Sequence, residues 1–372
     1  MKTKIAVLGA GNGGCAIAGD MAYRGLDVTL VKTSHTVHDD NFEYLVENGG
    51  IITLLDFGED GCMGPTNDNQ KIKRGHLSSI TRDLSVVKDM DVVLIYVQTI
   101  YHEPLIERLS QYFRDGQVII INPGYLSTAY ILKHCPDKNI TVVEAQSSFI
   151  DCRISAPGTV RVSFRNVRNP VSIYPISNKN RTIPILEALG FPFHYLSSVF
   201  EAAFHNPNLI VHPIGAVMSI PMIDTYRDSY CMYHSAFTEH VWNVLEELDE
   251  EKMCILEKVG CDRIPYIEAC KFRNSLDSSI DAKQVFFDYA SMSTVVTGPS
   301  AVDSRYITED IPQGLVMLES FGRLFGVKTP VTTALISIAS ASLKKDFRAI
   351  GRTIERLGYN NIKRILSDAR TV

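Results

Sequence analysis

The N-terminal part of the chain shows a regular succession of apolar and glycine-rich segments. Residues 5–8 are all apolar, as in a parallel strand that is covered on both faces. Three closely spaced glycines follow, and residues 15–23 then have helical composition without proline. Residues 27–31 form the next apolar segment. The order strand, glycine turn, helix, strand predicts a βαβ unit.

Similar apolar segments recur as far as residue 197, after which the pattern takes a helical period. Residues 91–98 and 117–121 carry near-continuous apolar runs, which are typical of central parallel strands. Shorter strands are predicted at residues 50–55, near Ile80, and at 141–144, 158–163, 171–174 and 193–195, with helices at 104–113 and 182–189. Helical period covers residues 200–205, 208–219, 230–259, 264–273, 313–324, 329–342 and 348–357.

These patterns predict an α/β fold in two domains. Residues 1–198 are expected to form an N-terminal Rossmann-type doubly wound sheet, and residues 199–372 a mostly α-helical C-terminal domain that holds substrate and catalytic residues. Residues 56–75 are polar and rich in glycine, so a surface loop is expected there, with the three basic residues of segment 71–74 in solvent.

The glycine turn gives the first indication of function. Gly9, Gly11 and Gly14 have the spacing G-x-G-x-x-G, with Asn12 and Gly13 between them. The first glycine permits the tight turn, the second lets a pyrophosphate approach the backbone, and the third lets the helix pack closely on the strand. The free N–H groups at the helix N-terminus would bind the phosphates. We predict that these five residues bind a dinucleotide.

The end of the second predicted strand bears on the choice between NAD and NADP. An acidic residue often accepts hydrogen bonds from the adenosine ribose at this point, but this chain has Lys32 and Ser34. A lysine beside a hydroxyl could bind a 2′-phosphate, so the sequence favours NADP(H) over NAD(H). The alternatives are that Lys32 points into solvent, or that Asp39 and Asp40 reach the ribose instead.

Composition excludes several classes of protein. The 372 residues carry a net charge of −5 and no basic cluster of the kind that binds nucleic acid. The eight cysteines are irregularly spaced without a C-x-x-C pair, so scattered thiols in a reducing compartment are expected, and no metal site. No signal peptide is indicated, and the apolar residues 331–343 are too few to cross a bilayer. We expect a cytoplasmic enzyme that acts on small molecules without a membrane partner, and a homodimer is left open.

Two segments of the C-terminal half carry candidate catalytic residues. Residues 205–213 contain His205 and His212, which are seven positions apart and could share a helix face, together with Asn208. Residues 297–312 contain Arg305 and Asp310 between a Gly-Pro turn and a proline. An exposed charged loop is the alternative, but reduction of a keto acid needs a cation for the carboxylate and a proton donor oriented by an acid. Because residues five apart cannot share an α-helix face, a loop is expected to bring both side chains inward.

Two positions at the carboxyl ends of predicted strands have open roles. Glu144 could bind a substrate ammonium or guanidinium, or be a satisfied polar residue at a strand end. The turn at residues 122–124 could contact a cofactor, since ligands bind at the carboxyl ends of strands in such sheets, or be a plain tight turn.

Three motifs in order along nearly the whole chain resemble the opine dehydrogenase family, the octopine and nopaline dehydrogenases and their relatives. They read GAGNGG at 9–14, NPN at 206–208 followed by HP at 212–213, and SRYITEDIP at 304–312 followed by GL at 314–315. The resemblance implies a Rossmann domain with a helical C-terminal domain. It also implies His212, Arg305 and Asp310 as the catalytic residues.

The same resemblance implies the activity, which is an NAD(P)H-dependent reductive condensation of an α-keto acid, such as pyruvate, with the amino group of an amino acid. Glu144 and Asn208 are taken as candidate substrate contacts. One alternative is a 2-hydroxy acid or 3-hydroxyacyl dehydrogenase on the same two-domain plan. The other is a protein that senses NADP without turnover, which would not need the histidine, arginine and aspartate.

Overall fold

The computed structural model describes residues 2–58, 70–291 and 298–368. In order along the chain, its strands are β1 Lys4–Leu8, β2 Asp27–Val31, β3 Ile51–Asp56, β4 Lys71–His76, β5 Ser79–Thr81, β6 Val92–Ile95, β7 Val118–Ile121, β8 Thr141–Ala145, β9 Ile150–Ala156, β10 Thr159–Arg165, β11 Asn169–Tyr174 and β12 Phe193–Tyr195.

The α-helices of these described ranges lie mostly in the second half. They are α1 Asn12–Tyr23, α2 Asp39–Glu47, α3 His102–Leu109, α4 Thr128–His134, α5 Lys179–Glu187, α6 Val199–Phe204, α7 Asn208–Met218, α8 Ile220–Tyr226, α9 Met232–Ser235, α10 Glu239–Lys258, α11 Tyr266–Asn274, α12 Ala282–Ala290, α13 Arg305–Thr308, α14 Val316–Phe325, α15 Pro330–Leu343, α16 Phe347–Ile350, α17 Ile354–Leu357 and α18 Tyr359–Asp368. A π-helix, Ile311–Leu315, lies between α13 and α14.

The main sheet has eight strands in the order β12-β11-β8-β7-β6-β1-β2-β5. All neighbouring strands are parallel except β11, which runs antiparallel to β8. The chain starts in the middle of this sheet at β1 and moves outward in both directions, so the carboxyl ends of β1 and β6 flank the point where the strand order reverses. The predicted Rossmann-type fold with a helical C-terminal part is confirmed.

A second sheet of four strands, in the order β4-β3-β10-β9, packs against α1. Only glycine fits at Gly75 of β4, because an added Cβ would lie 2.1 Å from the Gly19 carbonyl oxygen of α1. The expectation of a loop at residues 71–74 is therefore wrong, although Lys71, Ile72 and Arg74 are exposed as expected. Lys73 is buried there, and its ammonium lies 2.8 Å from the Asp56 carboxylate, so a polar sequence can form this strand because its one buried charge is paired. Residues 59–69 of the same predicted loop lie outside the described residues.

The hydrophobic core extends from the main sheet into the helical part. One buried cluster lies between the sheet, α1 and the second sheet. The other runs from the opposite face of the sheet through α3 and α4 into α6, α7, α10 and α14. Because this second cluster is continuous across residues 198 and 199, the domain boundary predicted there stays a prediction.

No single helix within the described ranges is long and apolar enough to cross a membrane, although one bent pair, Val199–Met218 with Ile220–Ser229, meets the length and composition criteria.

Some predicted helices are interrupted in the structure. The helix expected at residues 230–259 is two helices, α9 and α10, and the one at 348–357 is α16 and α17 with Gly351 between them. Gly351 lies so close to Val316 that an added Cβ would be 2.6 Å from its Cγ1. Close packing of the chain against α14 therefore breaks a segment whose hydrophobic period alone predicts one helix.

Candidate active site

A cavity of about 710 Å³ lies at the carboxyl ends of the main-sheet strands. The glycine turn, residues 9–13, lines one side of it, and Arg305, Glu309 and Asp310 line the side formed by the helical part. This is the position at which open α/β sheets bind ligands. The cavity therefore joins the predicted dinucleotide motif to the predicted catalytic segment.

The local geometry explains the glycines. Gly9 has φ of +114°, and an added Cβ would lie 2.3 Å from the Tyr96 carbonyl oxygen. A Cβ on Gly14 would lie 1.7 Å from the Gly9 carbonyl oxygen, so this glycine lets α1 start directly on the turn. Gly11, by contrast, has open space toward the cavity, with its nearest neighbour, the His38 ring, at 3.7 Å. It is the N-cap of α1 and makes no side-chain cap, which leaves the first N–H groups of the helix available to an anion.

Two further side chains near the turn have defined surroundings. Asn12 also lines the cavity, but its Oδ1 accepts a hydrogen bond of 2.8 Å from the Ile154 backbone N–H, which fastens the second sheet to the start of α1. Asn122, at the end of β7, is buried and lines the cavity. Neither its amide nitrogen nor its amide oxygen has a hydrogen-bond partner within the described ranges. Buried amides without partners are rare, so this side chain fits a polar ligand group in the cavity.

Lys32 does not point into solvent, and it is not free for a phosphate either. Its side chain is buried at the edge of the cavity, where the ammonium lies 3.2 Å from the Asp39 carboxylate and donates to the Val37 carbonyl oxygen. Ser34 lines the same edge, and its carbonyl oxygen accepts a 2.7 Å hydrogen bond from Arg82. The candidate adenosine site thus contains a lysine whose counterion is supplied by the chain itself.

His212 and Asp310 meet although 98 positions separate them. His212 Nδ1 lies 2.7 Å from Asp310 Oδ2, and both side chains are buried. When Asp310 is ionised its carboxylate only accepts, so Nδ1–H donates and leaves Nε2 to face outward. Asp310 Oδ1 in turn accepts a 3.1 Å hydrogen bond from the Tyr125 hydroxyl. This arrangement fixes the tautomer and the orientation of the imidazole.

Two tyrosines complete the surroundings of the imidazole. Tyr306 stacks on the His212 ring with a centroid distance of 3.7 Å and an interplanar angle of 10°. The Tyr233 hydroxyl lies 3.2 Å from His212 Nε2 and 3.4 Å from the Tyr306 hydroxyl. The imidazole is thus held by a carboxylate, a stacked ring and a hydroxyl.

Burial controls the protonation of this pair. It lowers the pKa of His212 well below its usual value, and the positive charge of Arg305 acts in the same direction. It raises the pKa of Asp310 to about 7, while Arg305 and the Tyr125 hydroxyl work against that rise. The imidazole is therefore neutral before substrates bind and can accept a proton at Nε2.

Arg305 occupies the start of α13, and its side chain is half exposed to the cavity. The nearest carboxylate is Glu309, 4.0 Å away and buried, where it accepts hydrogen bonds from the Thr99 N–H and hydroxyl. The expectation of a loop in this segment is wrong, since α13 and the π-helix cover most of it. A π-helix widens the helical turn, and such insertions are frequent at functional sites. Both Arg305 and Asp310 therefore line the same cavity from a helical segment.

A second cavity, of about 140 Å³, adjoins the first. His212 lines the smaller cavity and Asp310 the larger one, whereas Asn208 and Arg305 line both. The hydrogen-bonded pair therefore lies at the boundary between the two. Asn208, predicted as a substrate contact, is positioned for that role because it starts α7, which also carries His212.

Other predicted residues lie elsewhere. His205 ends α6, lines neither cavity, and neither ring nitrogen has a hydrogen-bond partner in the described part of the chain. Glu144 is fully buried and lines neither cavity. Its carboxylate accepts from the Leu126 and Thr128 N–H groups and the Thr128 hydroxyl, so it fixes the start of α4, and burial raises its pKa. The structure thus favours the alternative of a satisfied polar residue.

Sequence reasoning missed Tyr125, Tyr233 and Tyr306. Tyr306 stands beside Arg305 in the recognised motif, so adjacency could have suggested it. Tyr125 and Tyr233 have no local signal, because only the fold brings them to Asp310 and His212. No group of three or more histidine, cysteine, aspartate or glutamate side chains in the described ranges could hold a metal ion, and the seven cysteines described there are free thiols.

Each half of the chain matches the model of a known protein family. Residues 195–343 match the family described as NAD/NADP octopine/nopaline dehydrogenase, alpha-helical domain. Residues 5–167 match the family described as ketopantoate reductase PanE/ApbA.

Individual relatives match over almost the full length. An opine dehydrogenase of Arthrobacter sp. (strain 1C) is 26% identical, with 96% of this chain and 95% of the relative covered. A vitopine synthase of Allorhizobium ampelinum is 27% identical, with 98% of each covered. Among solved structures, octopine dehydrogenase in complex with NADH and agmatine has a TM-score of 0.79 at 20% identity, covering 98% of each chain. Yersinopine dehydrogenase with bound NADP+ has a TM-score of 0.71 at 14% identity, covering 100% of this chain and 99% of that one.

Proposed function

The chain belongs to the octopine/nopaline dehydrogenase family, and from that premise we propose that it reductively condenses an α-keto acid with the amino group of an amino acid. It is an NAD(P)-dependent oxidoreductase that acts on CH–NH groups. The observation that carries the proposal is the His212–Asp310 pair at the boundary between the two cavities. The larger cavity extends to the glycine turn, and the smaller one presents His212 to substrates.

The residues of the larger cavity fit a nicotinamide dinucleotide. The glycine turn and the start of α1 would hold the pyrophosphate, and the unpartnered amide of Asn122 is available to polar groups of the cofactor. When bound, the cofactor supplies the hydride that reduces the imine carbon.

Within the site, His212 would move one proton. An amino acid arrives as an ammonium and attacks a carbonyl only after losing a proton, which the neutral imidazole accepts at Nε2 while Asp310 stabilises the imidazolium. A second proton passes from the nitrogen to the carbonyl oxygen as the C–N bond forms. His212 then returns its proton to the resulting hydroxyl, the C–O bond breaks and water leaves. The third ammonium proton stays on the nitrogen of the imine.

Arg305 would bind the carboxylate of the keto acid. Its guanidinium faces both cavities, and its nearest carboxylate is too distant for a hydrogen bond. A guanidinium matches a carboxylate with two parallel hydrogen bonds, which fixes the position of the adjacent carbonyl carbon. Pyruvate or a similar keto acid satisfies this arrangement.

For the cofactor we infer a preference for NADP(H) over NAD(H). A 2′-phosphate would replace Asp39 as the counterion of Lys32, with the Ser34 hydroxyl beside it. Asp39→Asn removes the competing carboxylate and is expected to raise the preference for NADPH about tenfold, the value of one charge-assisted contact. Lys32→Asp should invert the preference. Equal kcat/KM values for NADPH and NADH in the parent protein would contradict this inference.

The proposed reaction is tested by omitting substrates one at a time. With NADPH, pyruvate and an amino acid present, oxidation of the cofactor should be rapid, and omission of the amino acid should remove most of it because no imine forms. Rapid oxidation with the keto acid alone would favour a 2-hydroxy acid dehydrogenase.

The homodimer considered from the sequence stays a prediction, for which measurement of the molecular mass in solution is the direct check.

A further inference from the structure

The smaller cavity has an aromatic wall. Phe164 of β10, Tyr266 of α11 and Phe286 of α12 line it, and all three side chains are buried. Tyr289 of α12 and Tyr233 of α9 add two further rings. Such a wall favours an apolar group, because transfer of apolar surface from water into it is favourable.

The charged groups of this cavity are unbalanced. Its lining contains one carboxylate, Asp151, and three guanidiniums, those of Arg153, Arg273 and Arg305. The carboxylate is already engaged, since Asp151 Oδ2 accepts a 2.5 Å hydrogen bond from the Tyr289 hydroxyl. The cavity is therefore suited to a ligand that carries negative charge.

Arg273 has a fixed position that joins the two halves of the chain. It lies near the end of α11, and its carbonyl oxygen accepts hydrogen bonds from the Val167 and Arg168 N–H groups. Its Nη1 donates to Ser147 at 3.1 Å and its Nε to the side chain of Asn274 at 3.0 Å. Within the described ranges, no carboxylate lies at ion-pair distance from this half-buried guanidinium. A cation held in this way has donors left for a ligand carboxylate.

We propose, on the basis of the function proposed above, that the smaller cavity binds an amino acid with an apolar side chain, and that Arg273 binds its α-carboxylate. The two substrates bring two carboxylates, and Arg273 and Arg305 enter the cavity from different elements, so each carboxylate has its own guanidinium. The amino group then faces His212, and the side chain lies against the aromatic wall.

Charge selects against other amino acids. Because Arg273 and Arg305 each bind a substrate carboxylate, the positive charge of a lysine or arginine side chain would meet the remaining guanidinium, that of Arg153. The one carboxylate of the lining, Asp151, already has a partner in Tyr289. A glutamate side chain would place a second carboxylate against aromatic rings, where loss of hydration is costly. The neutral, apolar class is the one that matches both the wall and the charges.

The first test compares amino acids at saturating pyruvate and NADPH. The kcat/KM for norvaline, leucine or phenylalanine should exceed that for arginine, lysine and glutamate by about tenfold or more. A preference for arginine, lysine or glutamate would overturn this proposal and leave the reaction itself standing. If no amino acid accelerates cofactor oxidation with any keto acid, the proposed function itself fails.

The second test assigns the α-carboxylate to Arg273. Arg273→Met should raise KM for norvaline about tenfold or more, the loss of a charged hydrogen bond, with KM for pyruvate unchanged. Arg305→Met should raise KM for pyruvate and leave KM for norvaline unchanged. Arg263→Met is the matched control, because Arg263 is exposed and paired with Glu250 and Glu257 away from both cavities.

An amine without a carboxylate separates binding from structural damage. The parent protein should use norvaline far better than butylamine, whereas Arg273→Met should use the two about equally, because the discriminating contact has been removed. Unchanged discrimination in Arg273→Met, with cofactor affinity and melting temperature near those of the parent, would overturn the role of Arg273. An equal loss of activity toward norvaline and butylamine would also count against the role of Arg273 in binding the α-carboxylate.

Discussion

At the scale of single residues, the imidazole of His212 is the group on which the proposed chemistry depends. Substitution of His212 by alanine removes the proton acceptor and should lower kcat by about 100-fold or more. His205 is the matched control, since it is also buried but lines neither cavity. Steady-state kinetics on both variants checks this. Normal turnover in His212→Ala together with loss of activity in His205→Ala would show that the wrong histidine has been chosen.

Asp310 should show a conflict between stability and function. Its folded-state pKa is raised to about 7 by burial, so the folded protein binds a proton there that the unfolded chain releases near its ordinary pKa of 3.8. Stability is therefore lost as pH rises between these values. Asp310→Asn removes this loss, so it should raise the melting temperature relative to the parent at pH 8 and raise it less at pH 5.

Activity and melting curves together test this prediction. Asp310→Asn keeps the shape of the side chain but cannot stabilise an imidazolium, so kcat should fall strongly at pH 8, where Asp310 of the parent is ionised. Melting curves of parent and variant from pH 5 to pH 8, without ligands, measure the difference. A variant less stable than the parent at pH 8 would mean that the carboxylate stabilises the fold.

Residue identity alone could predict only part of this site. Family resemblance pointed to His212, Arg305 and Asp310, which the structure brings to one place. It could not find Tyr233 or Arg273, because each lies alone in a helical segment and gains its position only from folding. Lys32 was found from its position after β2, but its pairing with Asp39 depends on the path of the following loop.

At the scale of elements, Arg352 connects the main sheet to the catalytic segment. This fully buried guanidinium donates to the Thr99 carbonyl and the Ser127 hydroxyl at 3.0 Å, to the Gln313 side chain at 3.1 Å, and to the Tyr125 carbonyl. Tyr125 has φ of +50°, a conformation that is costly for a bulky residue and is held here by these contacts. Arg352 thereby fixes both the π-helix and the turn that supplies the Tyr125 hydroxyl to Asp310.

Replacement of Arg352 by methionine should affect stability and turnover together. Several buried acceptors lose their donor, so the free energy of unfolding should fall by about 3 kcal/mol or more. Because Asp310 is then less well held, kcat should fall while KM values stay close to those of the parent. Arg356→Met, on an exposed side chain nearby, is the control for denaturant unfolding and kinetics. An unchanged kcat in Arg352→Met would restrict Arg352 to a structural role.

The same elements show where sequence patterns fail. The strands of the main sheet were predictable because both faces are buried and their sequences are uniformly apolar. β4 was not, because its residues are mostly polar and its buried lysine is neutralised by a partner on β3. The π-helix gives no periodicity that an α-helix or strand pattern would reveal, so a loop was predicted in its neighbourhood.

At the scale of the whole molecule, two halves with different patterns share a core and enclose two joined cavities. The larger cavity is bounded by the glycine turn and the catalytic segment, and the smaller one by helices of the C-terminal half and by β9 and β10. Sequence patterns predicted both halves, but the cavities depend on how the halves pack. The class of amino acid proposed as substrate could therefore be inferred only from the structure.

The proposed condensation can be followed by the mass of the product formed from a reduced cofactor that is deuterated at the transferred position. With pyruvate, an apolar amino acid and the labelled cofactor, the product should be a secondary amine. Its mass should equal that of both substrates minus one water, plus one deuterium and one hydrogen. The deuterium should lie on the former keto carbon. A labelled 2-hydroxy acid, formed equally fast with or without the amino acid, would show that the protein reduces the keto acid directly and does not condense it with an amine.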